Sequence, residues 1–216
     1  QSTDFTKDLN QLIKTTLLDH HRIIFNGNGY SQEWVEEAAR RGLLNLKTTS
    51  DALPLYLQEK NIKLFSQHGV YSATEMKARS DILLEEYANV LKIEARTMLN
   101  MTQKEILPAA FKYVAVVATS LTQVRATMMG LECRCQSENL RHLQESIDKI
   151  HREMGSLRQI LEDTKGSDDL TATANFYTTW IIPAMEGLRQ AVDELEMIMG
   201  KEYWPMPTYG DLMFTK

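Results

Sequence analysis

SENLRHLQESIDKIHREMGSLRQILED, residues 137–163, carries the clearest pattern in the 216-residue sequence. Its apolar side chains recur in alternating steps of three and four residues, at Leu140, Leu143, Ile147, Ile150, Met154, Leu157 and Leu161. This spacing is the a/d seam of a heptad repeat, and it predicts a helix of about 40 Å that packs knobs-into-holes against a partner helix. The stretch therefore predicts a fold built on long α-helices.

Apolar stripes of similar length lie on both sides of this seam. One begins after the capping-box sequence Ser72–Glu75 and runs through Leu84, Ala88, Leu91, Ala95, Met98, Thr102 and Ile106, then Ala110, Val114, Val117, Leu121, Val124, Met128 and Leu131. The other comprises Tyr177, Ile181, Ala184, Leu188, Val192, Leu195 and Met199. Pro108 and Pro183 lie inside these stripes and predict kinks or interruptions, because proline removes a backbone donor and clashes with the preceding turn. Short corners at 130–136 and 165–169 predict that consecutive helices are antiparallel.

The two ends of the chain have a different character. Residues 5–20 carry Leu9, Leu12, Ile13 and Leu17 at helical spacing, and Ser31 and Gly42 are suited to cap the two ends of a short helix. Residues 51–69 predict one or two helical turns interrupted near Pro54. Pro205 and Pro207 exclude a regular helix from the tail, whose aromatic residues are expected to strap across the helices or to reach a neighbouring subunit: Trp204, Tyr209 and Phe214.

Together these patterns predict an all-α protein, an elongated antiparallel helical bundle with a shorter N-terminal helical segment and a non-helical aromatic C-terminal tail. The expected divisions are residues 1–71 for the N-terminal segment and junction, 72–199 for the bundle, and 200–216 for the C-terminal strap. No run of alternating residues predicts a β-strand, and the 10 glycines and 5 prolines are too few for an all-β fold.

Composition excludes several classes of partner. The net charge of −5 argues against nucleic acid, because phosphate binding requires a basic face. No apolar run approaches the roughly 18 residues of a membrane span, and no signal peptide opens the sequence. Cys133 and Cys135 are too close together to staple a fold, which favours reduced thiols and a cytoplasmic location.

The segment RIIFNGNGYSQEW, residues 22–34, contains the one pair of glycines that resembles a phosphate-binding loop. A Walker loop would require a lysine after Gly29, and a dinucleotide fingerprint would require a third glycine and a preceding strand. Neither requirement is met. The favoured interpretation is a structural corner, because asparagine and glycine tolerate unusual backbone angles and Ser31 caps the helix that follows.

Other candidate sites are weaker. His20 and His21 would point in different directions on a helix, and the metal-like pairs Glu138/His142 and Asp148/His151 lie off the apolar seam of one helix, whereas a di-iron site requires inward-facing pairs on two helices. Cys133 and Cys135 lack a second cysteine pair. The adjacent acidic pairs are expected on solvated helix faces: Glu36/Glu37, Glu85/Glu86 and Asp168/Asp169. No catalytic, cofactor-binding or metal-binding residue is therefore assigned.

Four blocks of sequence resemble the C-terminal region of type III glutamine synthetases, the large bacterial form. They are RIIFNGNGYSQEW, then EEAARRGLLNLKTTSDALP, QKEILPAAFKY and YWPMPTYGDLMF, and they occur in family order from residue 22 to residue 214.

The resemblance implies a parent enzyme that joins glutamate and ammonia to form glutamine, using ATP and Mg or Mn, as a ring-shaped oligomer with active sites between subunits. The metal-binding and nucleotide-binding residues of that family lie upstream, so the resemblance places no cofactor in this chain. It implies an inactive helical domain whose partners are its own catalytic domain and neighbouring subunits. Two alternatives remain open from the residues alone: a helical adaptor that docks a partner helix on the 140–161 seam, and a bundle with an internal metal site.

Overall fold

The computed structural model describes residues 4–128, 130–164 and 169–214, without the side chain of Tyr209. The described residues are predominantly helical and contain no strand, which confirms the all-α prediction. The helices are α1 (Phe5–Asp19), α2 (Gln32–Arg40), α3 (Thr49–Tyr56), α4 (Glu59–Gln67), α5 (Ala73–Met101), α6 (Leu107–Thr127), α7 (Arg134–Asp163), α8 (Leu170–Phe176), α9 (Ile182–Glu196) and α10 (Tyr209–Met213). Contacts divide the chain into two compact units, Gln1–Lys47 and Thr48–Lys216.

The second unit is built around three long helical segments. The first comprises α5 and α6, the second is α7, and the third comprises α8 and α9; α7 packs against both α6 and α9. The predicted seam of α7 forms the centre of the core, with Leu143, Ile147, Ile150, Met154 and Leu157 all buried. Each such side chain contributes roughly 1.5–3 kcal/mol through removal of apolar surface from water. The heptad pattern thus predicted both the helix and its buried face.

The helix interruption predicted at Pro108 does not occur. Residues Ala73–Thr127 form one continuous helix of 55 residues, because a π-helical turn at Thr102–Ile106 precedes the proline. In this turn the amide of Leu107 donates to the carbonyl of Thr102, five residues back. The wider turn shifts the hydrogen-bond register just before the residue that has no amide donor. The helix therefore continues through Pro108 without a break.

Pro183 is accommodated in the same way. A π-helical turn at Tyr177–Ile181 joins α8 to α9, and the amide of Ile182 donates to the carbonyl of Tyr177. In both helices the π-turn ends two residues before the proline, and both turns end on a buried isoleucine, Ile106 or Ile181.

The continuous helix Ala73–Thr127 is, within the described part of the chain, the one helix long and apolar enough to cross a membrane by length and composition. The expectation that no stretch approaches that length is therefore wrong by this criterion. Core helices of bundles pass the same test, and this helix supplies Leu91, Ala95 and Ala110 to the packed core. Its apolar character is thus partly accounted for by the bundle.

Residues 48–71, grouped with the N-terminal segment by the sequence analysis, lie in the second unit. Helix α3 is held by a hydrogen-bond network around Thr178. Thr178 Oγ1 lies 2.8 Å from Ser50 Oγ and 2.9 Å from the Tyr87 hydroxyl, and it donates to the carbonyl of Ala174 at 3.1 Å. Because the proton of Thr178 is used by that carbonyl, its oxygen accepts from Ser50 and Tyr87. Helix α3 runs through Pro54 and ends at Tyr56.

Several predicted helix boundaries are confirmed. The Ser72 capping box forms with Glu75, Ser31 caps α2 through the amide of Trp34, and Gly42 follows α2 with a φ of 76°. The hydrogen bonds from the Ser72 amide and hydroxyl lower the pKa of Glu75. Of the corner predicted at 165–169, only Asp169 lies among the described residues, where it caps α8.

The C-terminal tail differs in part from its prediction. It includes a 3₁₀ turn at Lys201–Tyr203 and the short helix α10, so the prediction of a non-helical tail is wrong for these residues. Thr208 and Asp211 form a second capping box at the start of α10. Trp204 packs against the core as predicted, but Phe214 is 77% exposed and does not strap the bundle. The hydrogen bond from Lys201 and those from Thr208 lower the pKa of Asp211.

The prediction that the apolar stripe continues through Met128 and Leu131 is also wrong. Met128 and Leu131 are exposed, because α6 ends at Thr127 and Met128 leaves the helical conformation.

Candidate functional site: the uncovered surface of the N-terminal unit

The N-terminal unit exposes the apolar stripe that the sequence predicted for its first helix. Helix α1 forms with Asp4 as its N-cap, but its stripe of Leu9, Leu12, Ile13 and Leu17 is between 41% and 63% exposed. No residue of 4–47 is buried. A folded segment of this size needs a buried core or another body to cover its apolar side chains. The face of α1 is therefore an uncovered packing surface.

The loop that follows α1 is anchored by Arg41. Its Nη1 donates to the carbonyl of Arg22 at 2.7 Å and to that of Ile24 at 2.8 Å. Glu37 forms an ion pair with the same guanidinium. Arg41 thus joins the start of the Gly-Asn-Gly loop to the end of α2. This role was not predictable from the sequence, because nothing in the local pattern pairs a residue with carbonyls 17 and 19 positions earlier.

The Gly-Asn-Gly loop packs on an aromatic neighbour. The Phe25 ring lies 4.5 Å from the Trp34 ring, measured between centroids. A Cβ atom at Gly27 would lie 2.5 Å from the Phe25 ring, a distance that real structures do not tolerate. An alanine at position 27 would therefore have to displace the Phe25 ring, and this close approach supports the prediction of a structural corner.

The second half of the loop is fixed by Asn28. Its side-chain oxygen accepts from the Tyr30 amide at 3.0 Å, and its carbonyl accepts from both the amide and the hydroxyl of Ser31, at 3.1 and 2.8 Å. These bonds form a turn that leads directly into the cap of α2. They leave the Tyr30 side chain completely exposed, at 102% of its reference area.

The histidines and cysteines singled out in the sequence lie mostly at exposed positions. His20, His21, His142 and His151 are all exposed, and the described residues contain no group of three or more His, Cys, Asp or Glu side chains that could hold a metal ion. Cys133 and Cys135 are free thiols at the start of α7, where Cys133 adopts a left-handed φ of 47°. The residues described here do not fit the metal clamp that ATP-dependent phosphoryl transfer requires.

Comparison with known proteins identifies the family. The family model for the glutamine synthetase C-terminal domain matches residues 8–125. The chain belongs to this family. It is 36% identical over 216 residues to a glutamine synthetase of Butyrivibrio fibrisolvens, covering 98% of this chain and 30% of that protein. It is 34% identical over 211 residues to a type-3 glutamine synthetase of Dictyostelium discoideum, covering 96% of this chain and 29% of that protein.

A glutamine synthetase of Bacteroides fragilis is 28% identical over 213 residues. These comparisons confirm the resemblance to the C-terminal region of type III glutamine synthetases. The chain spans about three-tenths of the length of these relatives.

Proposed function

We propose that this chain is the C-terminal helical part of a longer, cytoplasmic type III glutamine synthetase, in which it has a structural role and no catalytic activity of its own. The parent enzyme would convert glutamate and ammonia to glutamine with ATP and Mg or Mn. The partners of this chain would be its own catalytic domain and neighbouring subunits of a homo-oligomer, with neither nucleic acid nor a membrane among them.

The observation that carries this proposal is the uncovered face of α1. A helix of 15 residues is marginal in water by itself and gains stability mainly by packing its apolar face. Here that face is exposed, while about 70% of the length of the Butyrivibrio fibrisolvens relative lies outside the matched part. A catalytic domain supplied by that sequence would cover the face.

The first test compares activity. We expect the purified 216-residue chain to have no ATP- and metal-dependent γ-glutamyl transfer activity, and the full-length polypeptide that contains it to be active. Robust turnover by the 216-residue chain would contradict the proposal.

The second test addresses assembly. Leu12→Ser with Leu17→Ser in the full-length polypeptide should shift the oligomer toward smaller species in light scattering, because it removes apolar contact area from α1. Asn10→Ser with Lys14→Ser, on the polar face of the same helix, is the matched control and should leave the oligomer unchanged. Equal behaviour of the two double variants would argue against a packing role for this face.

A further inference from the structure

The loop of residues 25–32 presents one large side chain to solvent. Tyr30 is fully exposed, and no ring contact within the described ranges involves it. Its immediate neighbours are glycine and serine, and no residue from Phe25 to Gln32 carries a charge. The loop is therefore an uncharged platform with a single aromatic projection.

This platform is rigid. Arg41 fixes the two carbonyls that precede it, the Phe25 ring rests on Trp34, and Asn28 makes three hydrogen bonds across the turn. A side chain held on a fixed backbone loses little conformational entropy when it binds. Tyrosine is also one of the residues that most often dominates binding energy at protein interfaces, because it combines a large apolar ring with a hydroxyl.

The surrounding chemistry defines the kind of surface that fits. An uncharged loop requires no compensating charge from its partner, and a projecting ring requires a concave pocket with apolar walls. The phenolic hydroxyl requires a hydrogen-bond partner at the bottom of that pocket. A backbone carbonyl or a side-chain amide would satisfy it.

The partner is the part of the same polypeptide that precedes this chain. The relatives place about 70% of their length outside the matched region. Under the proposed function that sequence precedes this chain, so the unit Gln1–Lys47 would adjoin it. A covalently linked surface meets Tyr30 at a high effective concentration, which favours contact within one polypeptide over contact with a separate molecule.

We propose that Tyr30 inserts into an uncharged apolar pocket of the preceding catalytic part of its own subunit, and that the Gly-Asn-Gly loop exists to present it. This inference rests on the proposed function and specifies one point of docking.

Photo-cross-linking tests the contact. p-Benzoylphenylalanine at position 30 of the full-length polypeptide should cross-link to residues upstream of this chain, seen by mass spectrometry as cross-linked peptides after proteolysis, with no product of dimer mass on a denaturing gel. The same photoprobe at Lys77, an exposed position of α5, is the control and should give little product. A product of dimer mass, or equal yields at both positions, would overturn the proposal.

Amide exchange measures how much the proposed Tyr30 contact stabilises the docked loop. In the full-length polypeptide, Tyr30→Ala should accelerate exchange of the amides of residues 21–31 by roughly 30-fold, the effect of losing a typical interface anchor. Tyr30→Phe should have a smaller effect because it keeps the ring, and Glu36→Ala on α2 should have none. Unchanged exchange in Tyr30→Ala would overturn the inference. If Tyr30→Ala left exchange unchanged but Leu12→Ser with Leu17→Ser still dissociated the oligomer, the proposed function would stand and only the inference about Tyr30 would fall.

Discussion

Thr178→Val is the substitution that most sharply tests how the bundle holds α3. Valine keeps the shape and branching of threonine but has no oxygen to accept from Ser50 and Tyr87. Ser50 is 2% exposed and retains only a longer contact of 3.1 Å with Thr48, whereas Tyr87 is half-buried and reaches water. Two hydrogen bonds at about 1 kcal/mol each, one partly replaced by water, give an expected loss of about 1–2 kcal/mol.

Thr119→Val is the matched control for this substitution. Thr119 makes the same type of bond to a carbonyl four residues back, that of Ala115 at 2.7 Å, but it is exposed. Its replacement should change stability by less than about 0.5 kcal/mol. Urea unfolding followed by circular dichroism measures both, and thermal unfolding should place the Thr178 variant roughly 3–6 °C lower.

A double-mutant cycle with Ser50→Ala completes the test. Since the two hydroxyls share one hydrogen bond, the cycle should give a coupling energy of about 1 kcal/mol between positions 50 and 178. If Thr178→Val were no more destabilising than Thr119→Val, or if the coupling were zero, the network would not hold α3 as described.

Two further predictions concern the ends of the chain. Gly27→Ala should displace the Phe25 ring and weaken its near-ultraviolet circular dichroism signal. Gly29→Ala is the control and should leave the signal unchanged, because a Cβ at Gly29 meets no atom within 4 Å. Equal signals from the two variants would refute the packing role of Gly27. Asp211→Asn should loosen α10, seen as faster amide exchange at 208–213. Because the pKa of Asp211 is lowered in the folded state, its stabilising contribution is present above its ordinary value of 3.8 and is lost as the pH falls below that value. Since amide exchange itself slows in acid, the rates are compared with those of unstructured peptides at the same pH, and this protection should fall with pH in the native chain but hardly in the variant.

The sequence predicted those features that depend on local periodicity. The a/d seam of α7 required only the spacing of its own residues, and the caps at Ser31 and Ser72 required only neighbours within three positions. Apolar residues at this spacing are buried together because they lie on one face of the helix, and that face packs against the neighbouring helix. These features were therefore accessible before the structure.

The continuity of the helices through the prolines was not predicted, for a different reason. The rule that proline interrupts a helix assumes the i to i−4 hydrogen-bond register. A π-turn before Pro108 and another before Pro183 change that register, and the surrounding core stabilises the wider turns through buried side chains such as Ile106 and Ile181. The apolar spacing of the two stripes does not reveal this change of register, so it was not predicted.

The candidate site was predictable only in part. The sequence predicted the corner at 26–29 and the stripe on α1, but it could not state what covers the stripe. The roles of Arg41 and Gly27 depend on contacts with carbonyls and a ring that the fold brings together. For the proposed docking role of Tyr30, the only signal in the sequence was a tyrosine within a loop that has no charged residue.

Hydrogen exchange on α1 tests the central claim most directly. The amides of residues 5–19 should exchange rapidly in the 216-residue chain and slowly in the full-length polypeptide, because the proposed catalytic domain of the latter would cover the helix. The core amides of 143–157 in α7 serve as the internal control and should exchange at similar rates in both. Equal, rapid exchange of α1 in the two proteins would contradict the claim that this face packs against the rest of the enzyme.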